Sequence, residues 1–223
     1  MNELDLVIFD LAGTTVEDRG QVPAAFTAAL AENGIDVSAA QINGVRGASK
    51  RVALLHFIPE GPEQMRTSEE VYAAFRSHLT RLYVSEGVQA IAGAAQTFGW
   101  LRERGVRIAL NTGFDRETTG LLLEALGWTV GMVDAVVCGD DVTQGRPAPD
   151  LIFQAMEAAT VSNVHRVANV GDTILDLEAG YNAGVRWNIG VLSGAHDRRK
   201  LEGAPHTHII QSVAELQNIW PTD

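Results

Sequence analysis

The run Leu4-Asp5-Leu6-Val7-Ile8-Phe9 ends in Asp10, and Leu11-Ala12-Gly13-Thr14-Thr15 follows. A carboxylate at the exit of a buried strand can serve as a nucleophile or as a hard metal ligand. Gly13 permits a tight turn there, and the hydroxyls of Thr14 and Thr15 can donate to an anion. Three later stretches carry complementary chemistry. Asn111-Thr112-Gly113 sets a hydroxyl beside a glycine that allows close backbone approach and keeps a phosphate pocket open. Arg146 is a cation in the stiff loop Gly145-Arg146-Pro147-Ala148-Pro149. Gly171-Asp172-Thr173-Ile174-Leu175-Asp176 holds two carboxylates at i and i+4, which a helical turn would place on one face. Asp10 and Asp172 make a hard oxygen pair suited to Mg2+, with Asp176 available to hold a metal-bound water or to fix Asp172. Thr112 and Arg146 can take the spare oxygens of a phosphoryl group while Asp10 attacks in line. Ala12, two positions after Asp10, has no group that moves a proton.

Singly, each residue has an ordinary structural role: a turn or N-cap for Asp10 and Asp172, a strand exit for Thr112, an exposed turn for Arg146. Their shared placement changes the odds. The first apolar run reads as a strand buried on both faces. Residues 22–86 repeat apolar positions at helical spacing, as in Val71-Phe75-Leu79-Leu82, and Gly34 and Pro59 with Gly61-Pro62 divide them into three or so helices. After Gly87 the pattern alternates. Helices are expected over 95–104, 117–126, 150–159 and 174–183, strands over 106–110, 133–138, 167–170 and 187–191, and a last short helix over 213–219. Such alternation predicts right-handed βαβ crossovers and an α/β, doubly wound parallel sheet. All four chemical stretches then lie at strand carboxyl ends, where open α/β sheets bind ligands. The division is a core of residues 1–16 and 87–223, interrupted by a helical insertion over 17–86.

Composition limits the partners. The chain has 223 residues with a formal charge of −11, which argues against nucleic acid or an anionic membrane. Cys138 is the single cysteine, so no internal disulfide forms, and the absence of a signal-peptide pattern or a long apolar run leads to the expectation of a cytoplasmic protein. Neither Gly-x-Gly-x-x-Gly after a strand nor a Walker lysine motif is found.

In order, Asp10, Thr112, Arg146 and the Asp172/Asp176 pair resemble the four motifs of the haloacid dehalogenase superfamily, over nearly the whole chain. The resemblance implies that family's Rossmann-like core, a small helical cap in residues 17–86, an aspartyl-phosphate on Asp10, and Mg2+ held by Asp10, the Ala12 carbonyl and Asp172. Ala12 in place of the usual second aspartate, and Arg146 in place of lysine, are shared with the phosphonatase branch. Cleaving a carbon–phosphorus bond needs an electron sink, which that branch supplies through an iminium on a cap lysine in a Gly-x-x-Lys context. Gly47-Ala48-Ser49-Lys50 matches it. Lys50 would need desolvation or a nearby cation to be nucleophilic, and Arg46 and Arg51 flank it. The aldehyde pocket departs from the branch: Ala53 stands where it has histidine, Phe114 where it has tyrosine, and Gln21 where it has cysteine, with His56 one helical turn past Ala53. The implied activity is hydrolysis of a small phosphonate aldehyde. Alternatives are a phosphomonoesterase on a metabolite such as phosphoglycolate, with Lys50 only electrostatic, and, remotely, a phosphorylatable receiver without turnover. A homodimer through the cap is also implied by the resemblance.

Other polar features are expected to be structural. His206-Thr207-His208 has the spacing of a metal pair but precedes a short strand and reads as surface, Asp140-Asp141 reads as a turn, Cys138 as a buried apolar residue, and Trp187, Phe98 and Trp100 as packing between helices and sheet.

Overall fold

Strand β1 (Leu6–Asp10) is buried on both faces of the sheet. Leu6 and Ile8 pack into a cluster with Leu151, Ile152 and Ala155. Val7 and Phe9 face the other way, into the main core with Phe98, Leu101 and Leu110. Two buried faces explain why this strand reads as an unbroken apolar run.

The computed structural model describes residues 4–128 and 131–220. After β1 come helices α1 (Gln21–Glu32), α2 (Ala39–Gly44), α3 (Lys50–Leu55), α4 (Gln64–Glu86) and α5 (Ala94–Arg102). The alternating half follows as β2 (Arg107–Asn111), α6 (Arg116–Ala125), β3 (Ala135–Val137), α7 (Asp150–Ala158), β4 (Val167–Gly171), α8 (Ile174–Ala183) and β5 (Trp187–Val191). The chain closes with α9 (Arg198–Leu201), β6 (His208–Ile210) and α10 (Leu216–Ile219). The six strands are ordered β3-β2-β1-β4-β5-β6 and every pair is parallel. Strand order reverses between β1 and β4, so a crevice opens over their carboxyl ends. Asp10 is in register with Asn111, and Phe9 with Val170.

Helices α1–α4 form one insertion between β1 and α5, four helices rather than three. The chain leaves and returns through two antiparallel linkers. Val16 bridges Ala90, Glu17 N–H donates to the Gln89 carbonyl at 2.9 Å, and Ile91 N–H donates to the Thr15 carbonyl at 2.8 Å. Val71, Phe75 and Leu79 are the buried stripe of α4, and the Phe26 and Phe75 ring centroids of α1 and α4 are 4.7 Å apart. Helix α8 is clamped to the sheet by two buried amides. Asn169 Nδ2 donates to the Asp176 carbonyl at 2.9 Å, and Asn188 Nδ2 donates to the Leu177 carbonyl at 2.6 Å.

Several boundaries differ from the sequence reading. β3 covers only Ala135–Val137, and the last segment splits into a 3-10 turn, Val213–Glu215, and α10. The short helix α9 was not anticipated, and the short strand expected after His206-Thr207-His208 is β6, which begins at His208 itself. Asp172 lies in the turn between β4 and α8 rather than on a helix, so Asp172 and Asp176 do not share a helical face. Phe98 packs on Phe9 at 5.2 Å between ring centroids, as expected of a helix-to-sheet contact. Among the described residues no helix is long and apolar enough to cross a membrane.

Candidate active site

The strand ends converge on Arg146. Its side chain is 3% exposed, and it donates from Nη1 to Asp10 Oδ1 at 2.8 Å and from Nε to Asp176 Oδ1 at 2.9 Å. Nη2 reaches the Asn111 side-chain oxygen and also the Asn111 carbonyl, the latter at 3.3 Å. One guanidinium therefore joins β1, β2 and α8, a task suited to its planar fork of donors. Asp176 is committed on both oxygens. While Oδ1 meets Arg146, Oδ2 accepts the Thr173 backbone N–H at 3.0 Å and the Thr173 hydroxyl, closing a capping box at the start of α8.

Asp172 is 1% exposed, and its carboxylate is held by one backbone and one side-chain donor. The Ala195 N–H donates to its Oδ2 at 2.6 Å, and the Thr14 hydroxyl donates to its Oδ1 at 3.3 Å. Gly13 has φ +94°, and a Cβ there would stand 2.5 Å from Asp172 Oδ2; one on Gly194 would stand 2.0 Å away. These glycines make room for the carboxylate. Thr14 thus reaches Asp172, while Thr15 turns its hydroxyl back onto the Asp10 carbonyl at 2.9 Å. The loop 193–196, overlooked in the sequence, supports the turn: Ser193 Oγ donates to the Gly13 carbonyl at 2.7 Å, and His196 Nδ1 accepts from Ile174 N–H at 3.0 Å. The available signal was a serine and glycine directly after a strand.

The insertion brings Lys50 to this cluster. Lys50 N–H donates to the Gly113 carbonyl at 3.2 Å, and its Nζ lies 4.9 Å from the centre of the Phe114 ring. A Cβ on Gly113 would come within 2.5 Å of the Ala48 carbonyl, so the space Gly113 leaves is taken by the 47–50 loop. Arg146 Nη1 also donates to the Gly47 carbonyl at 3.4 Å. A single cavity is lined by Asp10, Ala12, Thr112, Gly113, Phe114, Arg146 and Asp172 of the core and by Arg46, Gly47 and Lys50 of the insertion. Thr112 Oγ1 accepts the Phe114 N–H at 3.2 Å, which leaves its own proton to give.

Crowded charge in a buried site shifts the ionisable groups. Burial pushes the Asp10 carboxyl up to about 6, reinforced by Asp176 and opposed by Arg146 and Lys50. Burial, with Asp10 and Asp176 nearby, raises Asp172 to about 8. Burial lowers Lys50 to about 8, with Arg146 and Arg46 acting the same way and Asp10 opposing.

Other expected residues lie elsewhere. His56 is exposed and stacks edge-on against Phe57, and Arg51 pairs with Glu69 over the Tyr72 ring, so neither lines the cavity. Gln21 is buried but donates to Glu86 at 2.8 Å. His206 and His208 are exposed. Cys138 is buried with its thiol pushed up to about 11 by desolvation, and Asp140 and Asp141 cap the chain around Arg116.

Comparisons with known proteins bear on the family and the fold. A family model described as haloacid dehalogenase-like hydrolase matches residues 4–184. A phosphonoacetaldehyde hydrolase of Parabacteroides distasonis is 31% identical over 214 residues, covering 88% of this chain and 79% of its own. One from Bacteroides fragilis is 31% identical over 230 residues, covering 98% and 86%. The crystal structure of a hydrolase from Pseudomonas syringae aligns with a TM-score of 0.85 at 25% identity, covering 96% of both chains. This chain is a hydrolase belonging to the haloacid dehalogenase-like family.

Proposed function

We propose that this hydrolase cleaves the carbon–phosphorus bond of a small phosphonate aldehyde through an aspartyl-phosphate on Asp10. The observation that carries the proposal is the environment of Lys50, a half-buried amine whose Nζ donates to the Ala48 carbonyl at 3.2 Å and whose pKa is lowered to about 8 in the same cavity as Asp10. An ester hydrolase has no need of such an amine, and a leaving alkoxide would want the proton donor that Ala12 lacks.

The buried carboxylates fit a divalent metal. Asp10, Asp172 and the Ala12 carbonyl are hard oxygen donors, and the raised pKa of Asp172 reflects burial first and then the neighbouring Asp10 and Asp176 carboxylates, whose repulsion a cation would relieve. When bound, Mg2+ would neutralise the oxygens of the transferring group. The protein's own residues do the rest. The neutral Lys50 amine adds to the substrate aldehyde and, with uptake of a proton and loss of water, gives an iminium. Asp10 attacks phosphorus, the C–P bond pair moves into the iminium, and the organic product leaves as an enamine. Water then releases phosphate from Asp10 and acetaldehyde-type product from Lys50. Thr112 holds a phosphoryl oxygen, while Arg146, with its donors taken up by Asp10, Asp176, Asn111 and Gly47, keeps Asp10 aimed and places its charge beside the phosphoryl group. Residues 17–86 act as a cap that closes on the antiparallel linkers and excludes water.

The test is turnover of phosphonoacetaldehyde with Mg2+, with borohydride added during turnover. A substrate-dependent adduct on Lys50, absent in Lys50→Ala, is expected, and Asp10→Asn abolishes phosphate release. Ester turnover without any adduct would replace the proposal with a phosphomonoesterase.

A further inference from the structure

Arg46 lies in the turn between α2 and α3, and its side chain is 17% exposed. It lines the same cavity as Asp10, Lys50 and Phe114. Its Nη2 is anchored on the buried Asp18 carboxylate, whose Oδ1 also accepts the N–H groups of Gly20 at 3.1 Å and Val22 at 3.3 Å at the start of α1. The anchor is thus built into the insertion and fixes the guanidinium from behind. The remaining Arg46 N–H groups have no partner among the described residues.

The rest of the insertion's wall offers little for a polar ligand. On the insertion side it consists of Val22, Pro23, Phe26, Ile42 and Val45, and Phe114 faces them from the core. Besides Lys50, Arg46 is the one polar side chain that the insertion presents to the cavity among the described residues. When an amine adds to a carbonyl, a C–N bond forms and the π pair moves onto oxygen. That oxygen takes up protons delivered through water and departs as water. Developing charge of this kind needs a fixed donor in a dry site. Arginine supplies hydrogen bonds there without giving up its own proton. Asp18 already offsets the Arg46 charge, so the subsite suits a neutral oxygen that acquires charge rather than a second permanent anion.

We propose that Arg46 binds the carbonyl oxygen of the substrate's organic part and makes the enzyme selective for 2-oxo phosphonates. This rests on the phosphonatase reading and deepens it. The test separates the two. In a Lys50→Met background, which excludes imine formation, calorimetry with Mg2+ compares 2-oxopropylphosphonate with propylphosphonate, ligands that differ only in the carbonyl. The parent variant is expected to prefer the oxo ligand, Arg46→Met to lower that preference about tenfold, and Arg46→Lys to restore most of it. Asp18→Asn, which keeps the donor but loosens its anchor, is expected to give an intermediate preference and serves if Arg46→Met does not fold. Equal affinity for both ligands in the parent, or a preference unchanged by Arg46→Met, would overturn the assignment. Absence of a borohydride adduct in the wild type would sink the Lys50 chemistry instead and leave the ligand preference to judge Arg46.

Discussion

Burial holds the Lys50 ammonium down to about 8, against an ordinary value of 10.5. About a tenth of such an amine is neutral at pH 7. Imine formation should therefore rise roughly tenfold per pH unit below 8 and level off above it, as read by the rate of borohydride trapping between pH 6 and 9.5. A flat profile would contradict the assignment. The same shift bears on stability with a definite sign. Between about 8 and 10.5 the unfolded chain binds more protons than the folded one, so stability rises with pH across that window. Below it, both states are protonated and the folded state carries the full desolvation cost, on the order of 3 kcal/mol at most. Lys50→Met should accordingly raise the melting temperature at pH 7 while abolishing the adduct, stability gained where function is lost.

At the scale of elements, α4 meets the start of α6 directly after the Thr112 loop. Asp115 is the N-cap of α6, accepting the Thr118 N–H at 2.7 Å, directly after Thr112-Gly113-Phe114. From α4, the Tyr72 hydroxyl donates to the same carboxylate, and Arg76 pairs with it at 3.5 Å and with Glu117 at 2.7 Å. Burial alone would raise the Asp115 pKa, but the hydrogen bonds from Tyr72 and Thr118 outweigh it and hold the carboxyl below its usual range. Removing the donor with Tyr72→Phe should weaken the closed arrangement by about 1–2 kcal/mol. The expected readout is a kcat/KM lower by about fivefold to thirtyfold, with faster proteolysis at the linkers and a small change in melting temperature. Unchanged kinetics would show that this contact does not govern closure. None of this was legible in the sequence. Tyr72 and Asp115 lie far apart along the chain, and α4 announced only its apolar stripe. Helix α9 escaped for a different reason: it has four residues, too few for a period to emerge.

For the whole molecule, the order of motifs along the chain was enough to place them around one crevice. Each βα exit of a doubly wound sheet lies on the same side, so Asp10, Thr112, Arg146 and Asp172 had to meet once the strands were recognised. Spacing could not reveal how their charges are shared. Asp176 reads as a metal-side carboxylate but is taken up by Arg146 and Thr173, while Asp172 is left with a raised pKa of about 8. That division has a thermodynamic consequence. A divalent cation bound only by the folded state stabilises it by mass action, about 2.7 kcal/mol at a hundredfold excess over Kd. Mg2+ should therefore raise the melting temperature of the wild type at pH 7, and EDTA should reverse the gain. Asp172→Asn relieves the same repulsion without metal, so its apo form should melt above the apo wild type and respond little to Mg2+. A calorimetric scan in which Asp172→Asn keeps the full Mg2+ response would show that the cation is held elsewhere, and the charge arrangement argued for this crevice would then need another explanation.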